Sequence, residues 1–420
     1  MNKHFIFILV LFSVTISAQE KIIESISFDG LGKTKEIYLK KLLSIDQGSP
    51  ADSLLLAEDM IRLIREPAIS HAYYSMVNSE KERLQLTIHI EENKTLIPAL
   101  DIWQTLENEL AFHLGATDHN FLGKGYTIGA FYRQNNFPGY GVILENNNFI
   151  SANNELKFIF QHRETLEPIQ QEDVEALYRY RIESAETSFG RELNLKNKVF
   201  AGIGISNEHY MYRSGAILSQ VPQEFKTNKI IGKIGYNYDA IFPFYYFNSG
   251  WKNQLILTHV WGKTISNRNT FYSIENQTVY FKRIKEFGNL GFRLKLGLAK
   301  NINTLFPPFA IDNNRNVRGS GNLIQRGSSL WAFNSEYRHG LIEKKWFVLQ
   351  GNLFVDFAGI RPSGNTINNI FKPKNTHAYS GIGLRFIHKY IYNAVLRIDY
   401  GFALGSSKVK GLVFGIGQYF

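Results

Sequence analysis

The chain has 420 residues, a formal net charge of +10 and no cysteine. The missing cysteines exclude disulfides, thiolate metal sites and a lipoprotein anchor, and basic residues spread without blocks make nucleic acid an unexpected partner. Aromatic residues make up 14% of the chain. Because the mean hydropathy is only −0.20, this composition predicts alternating strands with aromatic girdles rather than membrane helices.

Residues 1–18 have the pattern of a signal peptide. Lys3 and His4 form a basic start, Phe5–Ile16 is apolar, and Ile16-Ser17-Ala18 is a small-residue cleavage site. The apolar run is shorter than the roughly 20 residues of a spanning helix. We therefore expect an exported protein.

Residues 19–94 predict one small α/β domain with the order β-α-α-β-β. Ser49-Pro50 is expected to begin the second helix, with an apolar stripe formed by Leu54, Ala57, Ile61 and Ile64. The final strand, RLQLTIHIEE, alternates in the manner of a half-buried strand. One strand edge is expected to stay open, where an extended peptide could pair with it. Alternatively, the domain is only a spacer.

Residues 95–420 contain sixteen alternating segments, which predict a sixteen-stranded antiparallel outer-membrane β-barrel. An even number of strands lets both ends of the barrel region lie on the periplasmic side. A soluble β-sandwich is the alternative, but basic residues alternate with the apolar positions on several strands. The predicted lipid face includes Leu156, Phe158, Phe160, Tyr178, Tyr180, Ile182, Ile382, Leu384 and Phe386, opposed by Lys157, Arg179, Arg181 and Arg385. The long polar connections are expected on the outer side: Glu164–Val174, Arg213–Asn228, the loop of residues 300–328 and Arg361–Thr376.

The loop of residues 300–328 carries Val317-Arg318-Gly319. An isolated Arg-Gly pair would favour a solvated loop. In a barrel lumen, however, Arg318 would need an acidic partner, since a buried charge is costly unless it is paired. Alternation on the next two strands turns Glu336 and Asp356 inward. These two acids favour a loop folded into the lumen.

An ordered set of motifs resembles the bacterial surface antigen superfamily of POTRA-plus-barrel outer-membrane proteins. This superfamily includes the BamA insertase, TamA and the haemolysin-activator-like two-partner-secretion transporters. Residues 21–93 resemble one POTRA domain, and the barrel region resembles the family at LGATDHNFLGKG, YDAIFPFYYFNSG, VRGSG and FVDFAG. The chain departs from the family pattern at Ser320, where many members have an aromatic residue, and it has only one POTRA-like region.

The resemblance implies protein translocation or insertion in the outer membrane of a Gram-negative bacterium, with the POTRA domain in the periplasm. The expected partners are an unfolded outer-membrane or secreted client, outer-membrane lipid and an accessory lipoprotein. The client would be engaged by the POTRA edge and passed through the lumen or a lateral seam. The family's acid that holds the loop arginine corresponds to Asp356.

A weak seam is predicted where the first and last strands meet. Pro98 cannot donate to a strand ladder, and the last strand contains Gly411, Gly415 and Gly417. The alternative is that these glycines only allow the sheet to curve. Phe420 is consistent with a C-terminal aromatic signal for barrel assembly.

Two other function classes are alternatives to protein transport. A passive outer-membrane pore or structural barrel with a vestigial POTRA domain is the main alternative. An enzyme is not expected, because the sequence has no nucleophile elbow, no His-x-x-x-His pair and no Ser/His/Asp set. No metal or cofactor is expected.

Overall fold

The structure is a computed structural model. It describes residues 21–79, 83–104, 109–151, 153–171, 174–217, 221–244, 246–263, 270–300, 307–313, 316–321, 324–405 and 409–420. The predicted signal peptide lies outside these residues. In the described part of the chain, no helix is long and apolar enough to cross a membrane.

Residues 21–93 form a small α/β domain, here called the N-terminal domain. Its elements are β1 (Ile22–Asp29), α1 (Glu36–Leu42), α2 (Ser53–Arg65), β2 (Ile69–Asn78) and β3 (Arg83–Glu92). The predicted order is confirmed. The sheet order is β1-β3-β2, with β1 parallel and β2 antiparallel to β3. The outer edge of β2 therefore has no strand partner within the described residues.

The predicted start of the second helix is wrong, and so is its predicted stripe except for Ile64, which packs against the core. Pro50 forms a β-bridge with Ile22. Helix α2 begins three residues later, because the Asp52 carboxylate caps it by accepting from the amide of Leu54 at 2.7 Å. Its buried face carries Leu56, Met60 and Leu63, whereas Leu54 is 76% exposed.

The remaining strands close into an antiparallel barrel of sixteen long strands, which confirms the predicted number. The short β12 extends the wall beside β13, and β16 and β17 form a separate ribbon. The strands are β4 (Leu96–Gln104), β5 (Leu110–Phe121), β6 (Tyr126–Asn135), β7 (Phe137–Asn146), β8 (Asn154–Gln171), β9 (Val174–Asn194), β10 (Asn197–Gly215), β11 (Glu224–Asp239), β12 (Phe242–Phe244), β13 (Phe247–Lys263), β14 (Phe271–Ile284), β15 (Gly288–Ala299), β16 (Phe309–Ile311), β17 (Gln325–Gly327), β18 (Ser329–Glu343), β19 (Phe347–Arg361), β20 (Thr376–His388), β21 (Val395–Ala403) and β22 (Lys410–Ile416). Two 3₁₀ helices, Ile367–Phe371 and Pro373–Asn375, lie between β19 and β20.

Side chains alternate between an apolar outer face and a polar lumen, because successive residues of a strand point to opposite sides. On β20, Ile382 and Leu384 are exposed on the outside, and Arg385 is fully buried inside. Leu353 on β19 is likewise exposed, whereas its neighbour Asn352 is buried. The outer surface is thus largely apolar.

The β8–β9 hairpin overturns two predictions. Glu164–Val174 is not a loop, since β8 continues to Gln171 and β9 starts at Val174. Tyr178 and Tyr180 face inward and are buried, and the ring of Tyr180 stacks on that of Tyr210 with centroids 4.5 Å apart.

Ile182 has the same inward parity and packs against this aromatic cluster. Arg179 and Arg181 lie on the opposite face, where both pair with Glu164. The sequence correctly predicted alternating side chains on β9, but the lipid face and the lumen face were assigned the wrong way round. β8 pairs with β7 only as far as His162 and extends past it, whereas β10 stays paired with β9 as far as Ala176. Past the end of β7, the inner face of the hairpin carries the aromatic cluster and its outer face carries the Arg–Glu pairs.

The N-terminal domain docks on one end of the barrel, here called the proximal end. The amide of Lys35 donates to the carbonyl of Gly123 at 2.8 Å, and Asn120 donates to the Thr34 hydroxyl at 2.9 Å. Lys33 pairs with Asp118 at 2.7 Å. Two motifs separated in sequence, FDGLGKT and LGATDHNFLGKG, therefore form one joint.

Candidate functional site

The loop between β15 and β18 folds back into the lumen and carries a fully buried arginine. Its ribbon, β16 and β17, leads to a tip at which Val317 and Arg318 are both 0% exposed. The amide of Val317 donates to the carbonyl of Asp312 at 3.1 Å, which closes the turn before the arginine. A guanidinium fully removed from water requires anionic partners.

Two carboxylates from adjacent strands hold this guanidinium. Asp356 on β19 accepts from Nε and Nη2 of Arg318, both at 2.9 Å, and from its backbone amide at 2.9 Å. Glu336 on β18 accepts from Nη1 at 2.5 Å. A forked pair of this kind fixes orientation as well as charge. The structure therefore brings together Arg318, Glu336 and Asp356, here called the Arg318 site.

The loop tip lies against glycines of the wall. Gly319 has a φ of +92°, and a Cβ added to it would lie 2.7 Å from the backbone of Gly401 on β21. Gly411 on β22, which pairs with Gly401, approaches Gly321 just as closely. Gly411 thus makes room for the loop backbone, and its expected role at the seam stays a prediction.

The Arg318 site belongs to a larger buried ionic cluster that sequence reasoning missed. Arg385 on β20 forms a forked pair with Asp399 on β21, at 2.8 and 3.0 Å. Arg338 pairs with Glu336 from the same strand. The inward position of Arg385 was predicted, and that of Asp399 could have been inferred from the same alternation. Their pairing could not, because it depends on the register between β20 and β21.

The last strand ends earlier than expected. β22 stops at Ile416, and Gly417, with a φ of +101°, turns the chain off the wall into the lumen. Residues 417–420 are here called the tail. The Tyr419 ring centroid lies 4.4 Å from Cζ of Arg318, and Phe354 covers the same guanidinium at 3.9 Å. Phe420 therefore lies away from the wall, and its ring stacks on Phe281 at 6.1 Å.

The barrel closes through a short seam between β22 and β4. Within the described residues, the register joins only Phe414 to Ile102 and Gly415 to Asp101. The neighbouring β21–β22 pair spans seven residue pairs. Because the tail has left the wall, Leu96–Leu100 of β4 has no partner strand on the seam side among these residues.

The predicted seam residues have different positions relative to this edge. Pro98 lies within the unpaired half of β4 and is opposite Ala116 on β5. Gly415 is at the seam itself, where a Cβ would lie 2.2 Å from a carboxylate oxygen of Asp101. Gly417 begins the tail.

The far end of the lumen, here called the distal end, is covered by the β8–β9 hairpin. Arg326 of β17 donates to Glu167 of β8 at 2.7 Å, so the hairpin is bonded to the stem of the lumen loop. Among the described residues, no group of three or more His, Asp or Glu side chains is placed to hold a metal. The Arg326–Glu167 hydrogen bond shows that the inward face binds a loop of its own chain.

The sequence matches no protein-family model and no curated protein. Solved structures share the fold. BamA from Haemophilus ducreyi lacking POTRA domains 1–3 aligns with a TM-score of 0.58 and 14% identity, covering 94% of this chain and 84% of that one. CdiB from Acinetobacter baumannii gives 0.62 and 13%, covering 94% and 74%, and CdiB from Escherichia coli gives 0.58 and 9%, covering 98% and 93%. The chain therefore has the sixteen-stranded barrel fold of these proteins.

Proposed function

We propose that this protein inserts or translocates client proteins at the outer membrane and that the client strand pairs with the free edge of β4. The N-terminal domain would act as a POTRA domain in the periplasm, at the proximal end of the barrel. The resemblance in sequence motifs and the shared fold with BamA and CdiB support this general function. The unpaired half of β4 is the single observation that favours the seam as the site.

An exposed strand edge at the membrane boundary has a strong tendency to pair. Its amide and carbonyl groups lack partners, and each unsatisfied group costs several kcal/mol in a lipid environment. A client strand that adds to Leu96–Leu100 would satisfy these groups through main-chain hydrogen bonds, with little requirement for a particular sequence. Pro98 removes one donor from this strand, which weakens permanent closure of the barrel.

The start of β4 is held in place at the proximal end. The Thr95 hydroxyl donates to Asp118 of β5 at 2.7 Å. Lys94 exchanges backbone hydrogen bonds with the β20–β21 turn, at Tyr390 and Tyr392, over 3.3 and 3.1 Å. The linker from the N-terminal domain therefore contacts strands on both sides of the seam. Because its start is anchored in this way, β4 would keep its orientation while the seam opens.

Passage of a client along the barrel axis requires larger structural changes than insertion at the seam. The Arg318 loop and the tail both lie in the lumen, and the Glu167–Arg326 pair holds the distal hairpin over it. Removing one partner of a buried ion pair typically costs about 3–5 kcal/mol. We therefore favour insertion through the seam over conduction through the lumen, and a passive pore is disfavoured for the same reason.

Site-specific photo-crosslinking from β4 tests the proposal. A photoreactive residue at Leu96 or Leu100, both on the outward parity of β4, is expected to capture unfolded barrel precursors in native outer membranes. The matched control is Leu353, which is 59% exposed on the outer face of β19. Precursors captured from β4 and not from Leu353 would support a client edge. Equal capture at both positions, or none at either, would favour the passive barrel.

A further inference from the structure

The outer wall of the barrel carries a groove of about 390 Å³, here called the outer groove. Its middle holds two serines, Ser335 on β18 and Ser380 on β20, which both lie opposite Val355 of β19. Large side chains form its sides: Leu290, Phe292, Tyr337, Leu353, Ile382 and Phe402. All of these side chains have the outward parity of their strands, so the groove opens toward the lipid and not toward the lumen.

Both serines turn their polar groups into the wall. The Ser335 hydroxyl donates to the carbonyl of Val355 at 3.2 Å, and the Ser380 hydroxyl donates to that of Phe354 at 3.1 Å. A hydroxyl that has a hydrogen-bond partner can lie in an apolar environment at little cost, whereas an unpaired hydroxyl cannot. The serines are also much smaller than the side chains beside them. They therefore leave a depression in the wall and place no unpaired polar group in it.

The shape and chemistry of the outer groove fit a hydrocarbon chain. Leu353 and Ile382 are 59% and 60% exposed, so these side chains project from the wall beside the serines. In a bilayer the wall is already surrounded by lipid, and packing rather than the hydrophobic effect decides which chain stays bound. A groove gives one lipid chain contacts on its sides as well as below it, and these contacts add up.

One end of the outer groove reaches lysines at the proximal turn between β14 and β15. Leu290 of the groove lies opposite Lys282 across the β14–β15 pair, and Lys285 follows in the turn. Both lysines are exposed, and neither forms an ion pair with any residue that the structure describes. On another proximal turn, by contrast, Lys389 is paired with Glu343. Two unpaired cations at the membrane boundary attract an anionic lipid headgroup.

We propose that the outer groove is a binding site for one anionic phospholipid of the leaflet at the proximal end. One acyl chain lies over Ser335 and Ser380, and the phosphate pairs with Lys282 and Lys285. The lysines distinguish anionic from neutral headgroups, and the groove distinguishes this position from the rest of the wall. The site requires a barrel that lies in a bilayer, and it does not require a client at β4.

The outer groove lies behind the strands that hold the lumen loop. Glu336 and Phe354 line the groove and also contact the guanidinium of Arg318 from the lumen side. A bound acyl chain therefore covers the outside of the wall that holds the Arg318 site.

Native mass spectrometry of the purified protein measures this site without any client. The protein is reconstituted with equal amounts of phosphatidylglycerol and phosphatidylcholine that carry the same acyl chains, and it is then extracted in mild detergent. The parent chain should retain one phosphatidylglycerol. Lys282→Gln/Lys285→Gln should lower the ratio of bound phosphatidylglycerol to phosphatidylcholine about tenfold, since each lysine beside an anionic headgroup contributes to binding.

A second variant acts on the groove and not on the lysines. Ser335→Leu fills the middle of the groove and should lower the retention of both lipids to the same extent. Its control is Ala201→Leu, which adds the same bulk at an exposed outward position of β10. The control for charge is Lys344→Gln/Lys345→Gln, which removes two exposed lysines from the proximal turn between β18 and β19. Heat-modifiable gel migration shows that each variant is folded.

An equal fall of the ratio in Lys344→Gln/Lys345→Gln would mean general attraction to the proximal lysines, and it would overturn a defined site. Retention of no lipid by the folded parent chain, or unchanged retention in Ser335→Leu, would overturn it as well. None of these outcomes bears on whether a client pairs with β4. The failure of this inference and the failure of the proposed function are therefore distinguishable.

Discussion

Gly319 in the lumen loop and Gly401 on β21 are in contact with no space for a side chain between them. A Cβ on Gly401 would lie 2.8 Å from the Cα of Gly319 and 3.0 Å from the carbonyl oxygen of Arg318. The neighbours are backbone atoms, which cannot move aside as a flexible side chain can. The wall therefore determines how deeply the arginine enters the lumen.

Gly401→Ala should lift the loop tip and lengthen the hydrogen bonds of Arg318. Overpacking of this kind typically costs about 1–3 kcal/mol, so the loop should become accessible to protease while the barrel remains closed. Limited proteolysis of the folded protein measures this. The control is Gly340→Ala, since a Cβ there has no neighbour closer than 3.7 Å. A loop equally resistant in both variants would show that the close approach does not hold it.

The carboxylates of the Arg318 site should differ in effect. Asp356 accepts three hydrogen bonds from Arg318, so Asp356→Asn should release the loop at a cost of about 3–5 kcal/mol. Glu336 also pairs with Arg338 and lies 3.9 Å from Arg385. Glu336→Gln should therefore lower the temperature at which the whole barrel loses its folded gel migration.

The control for both carboxylates is Glu275→Gln, which removes a partly exposed pair with Lys295. Partly exposed pairs contribute roughly 0–1 kcal/mol. If Glu275→Gln made the loop as sensitive to protease as Asp356→Asn does, the position of the loop would not depend on the Arg318 site.

Strand parity explains which parts of the site were predictable. A strand has a period of two, so the sequence alone turns Glu336 and Asp356 to the face opposite Phe333 and Phe357. The same rule misassigned Tyr178 and Tyr180, because an alternating Tyr-Arg run has the same period in either phase. The assignment of the outer face assumed a bilayer on that side, whereas this part of the hairpin extends past the end of β7 and carries charge on its outer face.

The position of the tail is a second feature that the sequence did not predict. Alternation continues through residues 411–420, so the sequence predicted a strand to the end. A single left-handed glycine, Gly417, redirects the chain. Its destination is set by arginines on strands far apart in sequence, and no local pattern reports them.

The docked N-terminal domain should be sensitive to pH through Glu66. This carboxyl lines a cavity of about 260 Å³ between the domain and the proximal turns, where it accepts a hydrogen bond from the Tyr38 hydroxyl. Burial raises the pKa of Glu66 to about 7, above its usual 4.5, although the Tyr38 hydrogen bond opposes the shift. The folded domain therefore holds a proton that the unfolded chain releases near pH 4.5.

The contribution of Glu66 to stability is fully present below about pH 4.5 and is lost as the pH rises through about 7. Glu66→Gln should remove this pH dependence and stabilise the domain at pH 8 by an amount on the order of 2 kcal/mol. Hydrogen exchange of β3 across this pH range gives the free energy of opening. Glu36→Gln is the control, since Glu36 is exposed on α1 and pairs with Lys40. Identical pH profiles for the parent chain and Glu66→Gln would contradict the assignment.

The measurement that tests the central claim most directly is a disulfide across the seam. The chain has no native cysteine, so Ile102→Cys/Phe414→Cys introduces a single pair at opposed positions of β4 and β22. The matched control is Ile398→Cys/Phe414→Cys, which joins β22 to β21 and shares one of the two cysteines. Capture of client precursors by photoreactive Leu100 is compared with each pair oxidised and reduced. The free half of β4 offers a client only Leu96–Leu100, so stable pairing requires β22 to separate from β4 at Ile102 as well. Oxidation of the seam pair should therefore abolish stable capture reversibly, and oxidation of the control pair should leave it unchanged. Undiminished capture with the seam disulfide formed would contradict a client site at the seam.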